Sequence, residues 1–115
     1  MGQYSHYLFI DNGAPFPGSK TNTYEPGLRL PFIIKLPYSP TKNKVKDAMI
    51  SWVDITPTLL DFAGIAADSL HLQGRSFKKI CEQNDITGWD EVYASHSFHE
   101  ITMYYPMRVV RGKKI

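Results

Sequence analysis

Six of the eight prolines lie between residues 15 and 40, and they cut the start of the chain into pieces too short for any long helix. Ahead of them, Tyr4–Ile10 is rich in aromatic and branched side chains and stops abruptly at Asp11-Asn12-Gly13. That is the pattern of a buried strand ending in a turn. From Ala14 to Arg29, Pro15, Pro17, Gly18, Pro26 and Gly27 alternate with Ser, Thr and Asn, which predicts a long ordered loop rather than helix or sheet. A loop of that length inside a compact domain usually carries function. Pro31–Leu36 then reads as a second strand, closed by Pro37 and the polar turn at 39–43.

Further along, Ala48–Val53 is a short apolar run with the look of a strand, followed by a helix start. Asp54 or Thr56 can cap it, Pro57 suits its first turn, and Gly64 suits its end, so a helix is expected at about Pro57–Ala63. Ser76–Glu82 reads as a shorter helix and Glu91–Ser95 as a strand. Tyr104–Arg111 reads as another strand, bent or at an edge because of Pro106. Strand, loop, strand and helix in alternation indicate an α/β architecture. A first strand starting so early and a last strand running into a turn with nothing after it leave sheet edges open, which is the expectation for part of a larger domain.

Composition narrows the partners. At 115 residues, 43% hydrophobic and 21% charged, the chain is sized for one small globular domain. A formal net charge of +2 is too near balance for phosphate neutralisation, so nucleic acid is not an expected partner. Tyr7–Ile10 and Phe32–Ile34 are far short of the roughly 20 apolar residues that cross a bilayer, so no membrane span is expected. Met1–His6 has no basic and apolar leader pattern. A single cysteine, Cys81, excludes an internal disulfide framework and a cysteine-only zinc site.

The chemistry gathers at the first turn. Adjacent strand residues point to opposite faces, so Asp11 and Asn12 converge on one ion only where the backbone turns, as Gly13 allows. A carboxylate and an amide carbonyl are hard oxygen donors of the kind Ca²⁺ or Mg²⁺ accepts. Read alone, Asp-Asn-Gly is also an ordinary turn sequence.

Taken in order, Asp11-Asn12-Gly13, Pro17–Lys20 and Thr23–Phe32 resemble the sulfatase family. Val53–Ile65 and Leu72–Phe77 are similar to the family's later signatures, and Ser95–Arg108 is similar to a stretch of its heparan N-sulfatase (sulfamidase) branch. The resemblance implies a single incomplete sulfatase-domain fragment of the alkaline-phosphatase-like α/β fold, with mixed sheet strands and flanking helices. In it, about 1–80 is the later part of the catalytic core and about 81–115 the start of the C-terminal region. It implies a calcium-dependent hydrolase of sulfate esters or sulfamates on sulfated sugars such as a glycosaminoglycan, heparan-type N-sulfoglucosamine favoured. Asp11 and Asn12 match metal ligands, Lys20 matches a sulfate-contacting cation, and His99 and Glu100 match the sugar pocket by analogy. The complete enzyme would use a formylglycine nucleophile, its setting would be lysosomal, periplasmic or extracellular, and the resemblance allows a homodimer.

One departure limits activity. The Cys/Ser-x-Pro/Ala-x-Arg motif that yields formylglycine does not occur, since Cys81 is followed by Glu82-Gln83-Asn84. Negligible turnover by this chain alone is the expectation. Two alternatives stand beside the sulfatase reading. One is a non-catalytic chain that binds sulfated glycans or a partner protein; the other is a phosphatase or phosphodiesterase of the same superfamily, against which Asn12 in place of a His argues.

Several neighbours read as structural. Glu25 and Arg29, four apart, suit a loop ion pair. His6 and His71 lack spaced partners, His96 and His99 lack a third zinc-type ligand, and Arg111, Lys113 and Lys114 read as a solvated basic end. Tyr104 and Tyr105, beside the candidate pocket, can stack on a sugar ring or fill a core.

Overall fold

The computed structural model describes residues 4–10, 13–39, 41–84 and 86–113. It divides into two compact units, Met1–Tyr38 with Tyr93–Arg111, and Ser39–Val92 with Gly112–Ile115.

In the first unit, β1 (His6–Phe9) and β2 (Phe32–Lys35) form an antiparallel ribbon with Tyr7 opposite Ile34 and Phe9 opposite Phe32. That register places the residues after β1 and those before β2 at the same end, so the Pro/Gly segment joins the two strands at one end of the ribbon. Contrary to the expected loop throughout, this segment holds one helical turn, α1 (Glu25–Leu28). Pro26 starts it at no cost, because the N–H it lacks would have no helical partner there. Strands β3 (Glu91–Phe98) and β4 (Tyr104–Gly112) form a second two-stranded sheet. Pro106 is accommodated because β4 pairs with β3 alone among the described strands, which leaves the other edge free of ladder bonds. The chain is thus mixed α and β, as expected. The expected mixed sheet is replaced by two separate antiparallel pairs, because the strands pair only with a near neighbour in the chain.

The second unit holds the apolar core, in which Phe77, Ile80, Cys81 and Trp89 are buried. The expected strand at 48–53 does not form. Met49 N–H donates to the Trp89 carbonyl at 2.9 Å, and then Trp52–Asp54 winds into a 3-10 turn. The cause is Asp54, whose Oδ2 accepts the Ser51 N–H at 2.8 Å and draws the chain into a capping box. Helix α2 (Ile55–Phe62) follows, two residues earlier than the proline predicts, and neither Asp54 nor Thr56 caps it through its side chain. Asp54 Oδ1 instead accepts the Arg75 N–H at 2.9 Å. Thr58, with no exposed surface, donates to the Asp54 carbonyl at 2.6 Å and accepts the Phe77 N–H at 3.0 Å. Gly74 lets the backbones meet, since a Cβ there would stand 2.7 Å from the Asp54 nitrogen. α3 (Lys78–Glu82) completes the unit by burying Ile80 and Cys81.

Candidate functional site

Asp11 and Asn12 lie outside the described residues, so the site is built from what flanks them. Gly13 is buried, and a Cβ on it would collide with Ser19 Oγ and stand 2.7 Å from the Pro26 carbonyl oxygen. Ser19, 6% exposed, donates its hydroxyl to that same Pro26 carbonyl at 3.0 Å. The Pro/Gly loop therefore folds back on its own start, and the residue before Lys20 rests against the residue after Asn12.

Lys20 is exposed while its backbone is tied down. Its N–H donates to the Ala14 carbonyl at 3.1 Å, and its carbonyl accepts from Asn22 Nδ2 at 3.4 Å. Thr21 follows with a left-handed φ of 63°. Among the described residues Lys20 has no ion pair, whereas Arg29 and Arg111 approach Glu25, Lys78 approaches Asp61, and Lys113 approaches Asp90. An unneutralised ammonium on a braced loop is a suitable anion contact.

The loop is held from one side by β4. The Tyr105 hydroxyl donates to the Thr21 carbonyl at 3.1 Å, and Thr23 Oγ1 lies 3.4 Å from the Met107 sulfur. Arg111 grips Glu25 through Nε to Oε2 at 2.6 Å and Nη2 to Oε1 at 3.2 Å. The hydrogen bond from Arg111 holds the Glu25 carboxyl below its ordinary range against the cost of desolvation, with lesser help from the charges of Arg111 and Arg29, and the same bond raises Arg111 in turn. Arg111 is therefore a tether rather than the solvated end its sequence suggests, and Lys113 is paired with Asp90 at 3.0 Å; Lys114 lies outside the described residues. Glu25 also meets Arg29, at a looser 3.7 Å.

His99 and Glu100 sit exposed in the turn between β3 and β4, where the Glu100 carbonyl accepts the Met103 N–H at 2.9 Å. No hydrogen bond or ion pair joins either side chain to Lys20 among the described residues. What the geometry brings together is the Lys20 loop and β4, the strand that leaves the turn. His96 is on β3, its ring 4.9 Å from that of Tyr105, and its Nε2 is buried without a hydrogen-bond partner among the described residues. Thr21 and Arg111 are thus members of the frame that local reading misses, and Tyr105, read there as a stacking or core residue, braces the loop through its hydroxyl. The signal for Tyr105 and Arg111 was the period-two alternation of β4, which puts 105, 107 and 111 on one face; Thr21 had none.

Among its described residues the second unit contributes no comparable group. An open cleft of about 410 Å³ is lined by Pro57, Asp61, His71, Leu72, Arg75 and Ser76 among others. Its charges are committed. Asp61 accepts from Ser76 Oγ at 2.6 Å and Lys78 Nζ at 3.3 Å, and its carboxyl is lowered chiefly by the Ser76 bond; Arg75 lies 3.8 Å above the Trp89 ring. Burial pushes the Cys81 thiol to about 11, which leaves it a protonated core residue. The signatures at 53–65 and 72–77 thus build a core through Asp54, Thr58, Gly74 and Phe77. Among the described residues no group of three or more His, Cys, Asp or Glu is placed to hold a metal, and no helix is long and apolar enough to cross a membrane.

Residues 19–115 match the family model described as N-sulphoglucosamine sulphohydrolase, C-terminal. The chain is 39% identical over 112 residues to N-sulphoglucosamine sulphohydrolase of Homo sapiens, covering 90% of this chain and 22% of that protein. It is 34% identical over 110 residues to an arylsulfatase of Clostridium perfringens, covering 86% and 22%. It is also 32% identical over 99 residues to an N-acetylglucosamine-6-O-sulfatase of Bacteroides thetaiotaomicron, covering 80% and 18%. The chain therefore spans about a fifth of the length of the curated relatives it matches.

Proposed function

Because the chain belongs to the N-sulphoglucosamine sulphohydrolase C-terminal family, we propose that it is the sulfate-recognising segment of a calcium-dependent sulfatase acting on sulfated sugars, N-sulfoglucosamine favoured. In this reading residues up to about 80 are the later part of the catalytic core, and about 81–115 begin the C-terminal region. The observation that carries it is the fold-back of Ser19 onto Gly13, which sets the base of Lys20 beside the residue that follows the Asp11-Asn12 pair.

The donor set fits the cation by its chemistry. The carboxylate of Asp11 and the side-chain carbonyl of Asn12 are hard oxygens, and Ca²⁺ takes about six to eight of them, so this chain would supply a minority of the ligands. When bound, the cation would polarise the sulfate oxygens. Lys20 would place its ammonium on the same anion and offset the negative charge that grows as the S–N or S–O bond breaks. The braced backbone on both sides of Lys20 means that little reorganisation accompanies this contact. His99 and Glu100 would face the sugar from the β3–β4 turn. No residue of the chain offers a formylglycine precursor motif, and Cys81 is buried and protonated, so turnover by this chain alone would be negligible.

Calorimetric titration with N-sulfoglucosamine, with and without calcium, tests the reading. Binding should depend on calcium, and Lys20→Ala should weaken it roughly tenfold or more, the worth of a charge-assisted hydrogen bond. Equal heats for the variant and the parent, or equal affinity without calcium, would contradict it. Tighter binding of glucosamine phosphate would point to phosphate-ester chemistry instead.

A further inference from the structure

Thr21 is the residue after Lys20, and its φ of 63° lies where a β-branched side chain rarely sits without outside support. The consequence of that conformation is visible in the loop. The chain reverses so that the Asn22 N–H reaches the Ser19 carbonyl at 3.2 Å and the Asn22 amide reaches the Lys20 carbonyl at 3.4 Å. Relaxation of Thr21 to a negative φ would break this reversal and turn Lys20 to a new direction.

The outside support comes from β4. The Tyr105 hydroxyl donates to the Thr21 carbonyl at 3.1 Å and lies 3.4 Å from Thr21 Oγ1, and its ring is backed by His96 at 4.9 Å. Met107 and Arg111, on the same face of β4, meet Thr23 and Glu25 further along the loop, but Tyr105 alone of the three acts on the neighbour of Lys20. We propose that Tyr105 is a positioning residue, which holds Thr21 in the left-handed conformation and so fixes the direction in which Lys20 presents its ammonium to a sulfate. The proposal rests on the reading in which Lys20 is the sulfate contact.

Two readouts on the 115-residue chain separate the proposal from that reading: heteronuclear NOEs at the Lys20 and Thr21 amides, and affinity for N-sulfoglucosamine in calcium. Tyr105→Phe keeps the ring and removes the hydroxyl contacts with the Thr21 carbonyl and Oγ1. It should lower both NOEs and weaken binding roughly two- to tenfold. Thr21→Asn, whose side chain tolerates a positive φ, should restore both in the Tyr105→Phe background. Thr21→Pro, which cannot take a positive φ and has no amide of its own, should reproduce the loss of the Lys20 NOE and of affinity with the phenol intact. Unchanged NOEs and affinity in Tyr105→Phe would overturn the proposal. So would a loss that Thr21→Asn leaves unrepaired, because Tyr105 would then only pack the hairpin. If Lys20→Ala binds as well as the parent, the sulfate reading fails, and the NOEs still decide whether Tyr105 orders the loop.

Discussion

Gly13→Ala is the sharpest test of the fold-back that the functional reading depends on. The new methyl group would sit 2.7 Å from the Pro26 carbonyl oxygen, about 0.7 Å inside ordinary contact, and would overlap Ser19 Oγ as well. A serine hydroxyl can rotate away, but the Pro26 carbonyl is backbone at the start of α1, so the loop itself must open. Overpacking of this kind costs about 1–3 kcal/mol. Gly18→Ala is the matched control: nothing lies within 4 Å of its Cβ, and its cost of about 1 kcal/mol comes only from a φ of +77°. Chemical denaturation of both variants gives the stability change, and titration with N-sulfoglucosamine gives the functional one. Gly13→Ala should lose more stability than Gly18→Ala and also lose affinity, because the opening moves Lys20 away from the Asp11-Asn12 end. Stability and affinity equal to the parent's in Gly13→Ala would refute the close packing of the loop on its own start.

Thr58→Val keeps the volume of a fully buried side chain and strands the Phe77 N–H, so it should cost about 1–3 kcal/mol and expose the Phe77 amide to exchange, while Thr56→Val on the exposed side should stay within about 0.5 kcal/mol. Equal costs for the two would be incompatible with Thr58 tying Asp54 to Phe77. The Glu25–Arg111 tether has a pH signature: a carboxyl lowered in the fold stabilises above its ordinary 4.5 and loses that contribution as pH falls through the lowered value. Carbon NMR titration of Glu25 should give a midpoint below 4.5, which Arg111→Gln should raise, and a midpoint at or above 4.5 in the parent would contradict the tether. Cys81, with its thiol pushed to about 11, should react with alkylating agents at pH 8 far more slowly than free cysteine, and equal rates would refute its burial.

What local pattern controls was legible in the residues, and what distant partners control was not. Apolar runs bounded by proline and glycine located β1, β2, α2, α3 and the hairpin strands, because the punctuating residues act on their own backbone. Ala48–Val53 has the composition of a strand, yet its course is set by Asp54, whose second oxygen is satisfied by Arg75, 21 residues away. Glu25 shows the same limit in its charge pairing. Its i+4 partner Arg29 is visible in the sequence but stands at 3.7 Å, whereas the closer partner Arg111 lies 86 residues on. The mixed sheet was implied by the family resemblance and not by any local pattern, and the described strands each pair with one neighbour. The cation Lys20 could be named from its motif, but the frame that aims it, Thr21 held by Tyr105, depends on which face of β4 meets the loop.

An experimental structure of the chain with calcium and N-sulfoglucosamine would measure the decisive distance, from Lys20 Nζ to the side-chain oxygens of Asp11 and Asn12. If these groups share one anion, the ammonium should lie on the order of 6 Å from the oxygens, with the sulfate between them. A separation beyond about 10 Å, where salt already screens exposed charges from one another, or a sulfate bound away from Lys20, would contradict a common sulfate site.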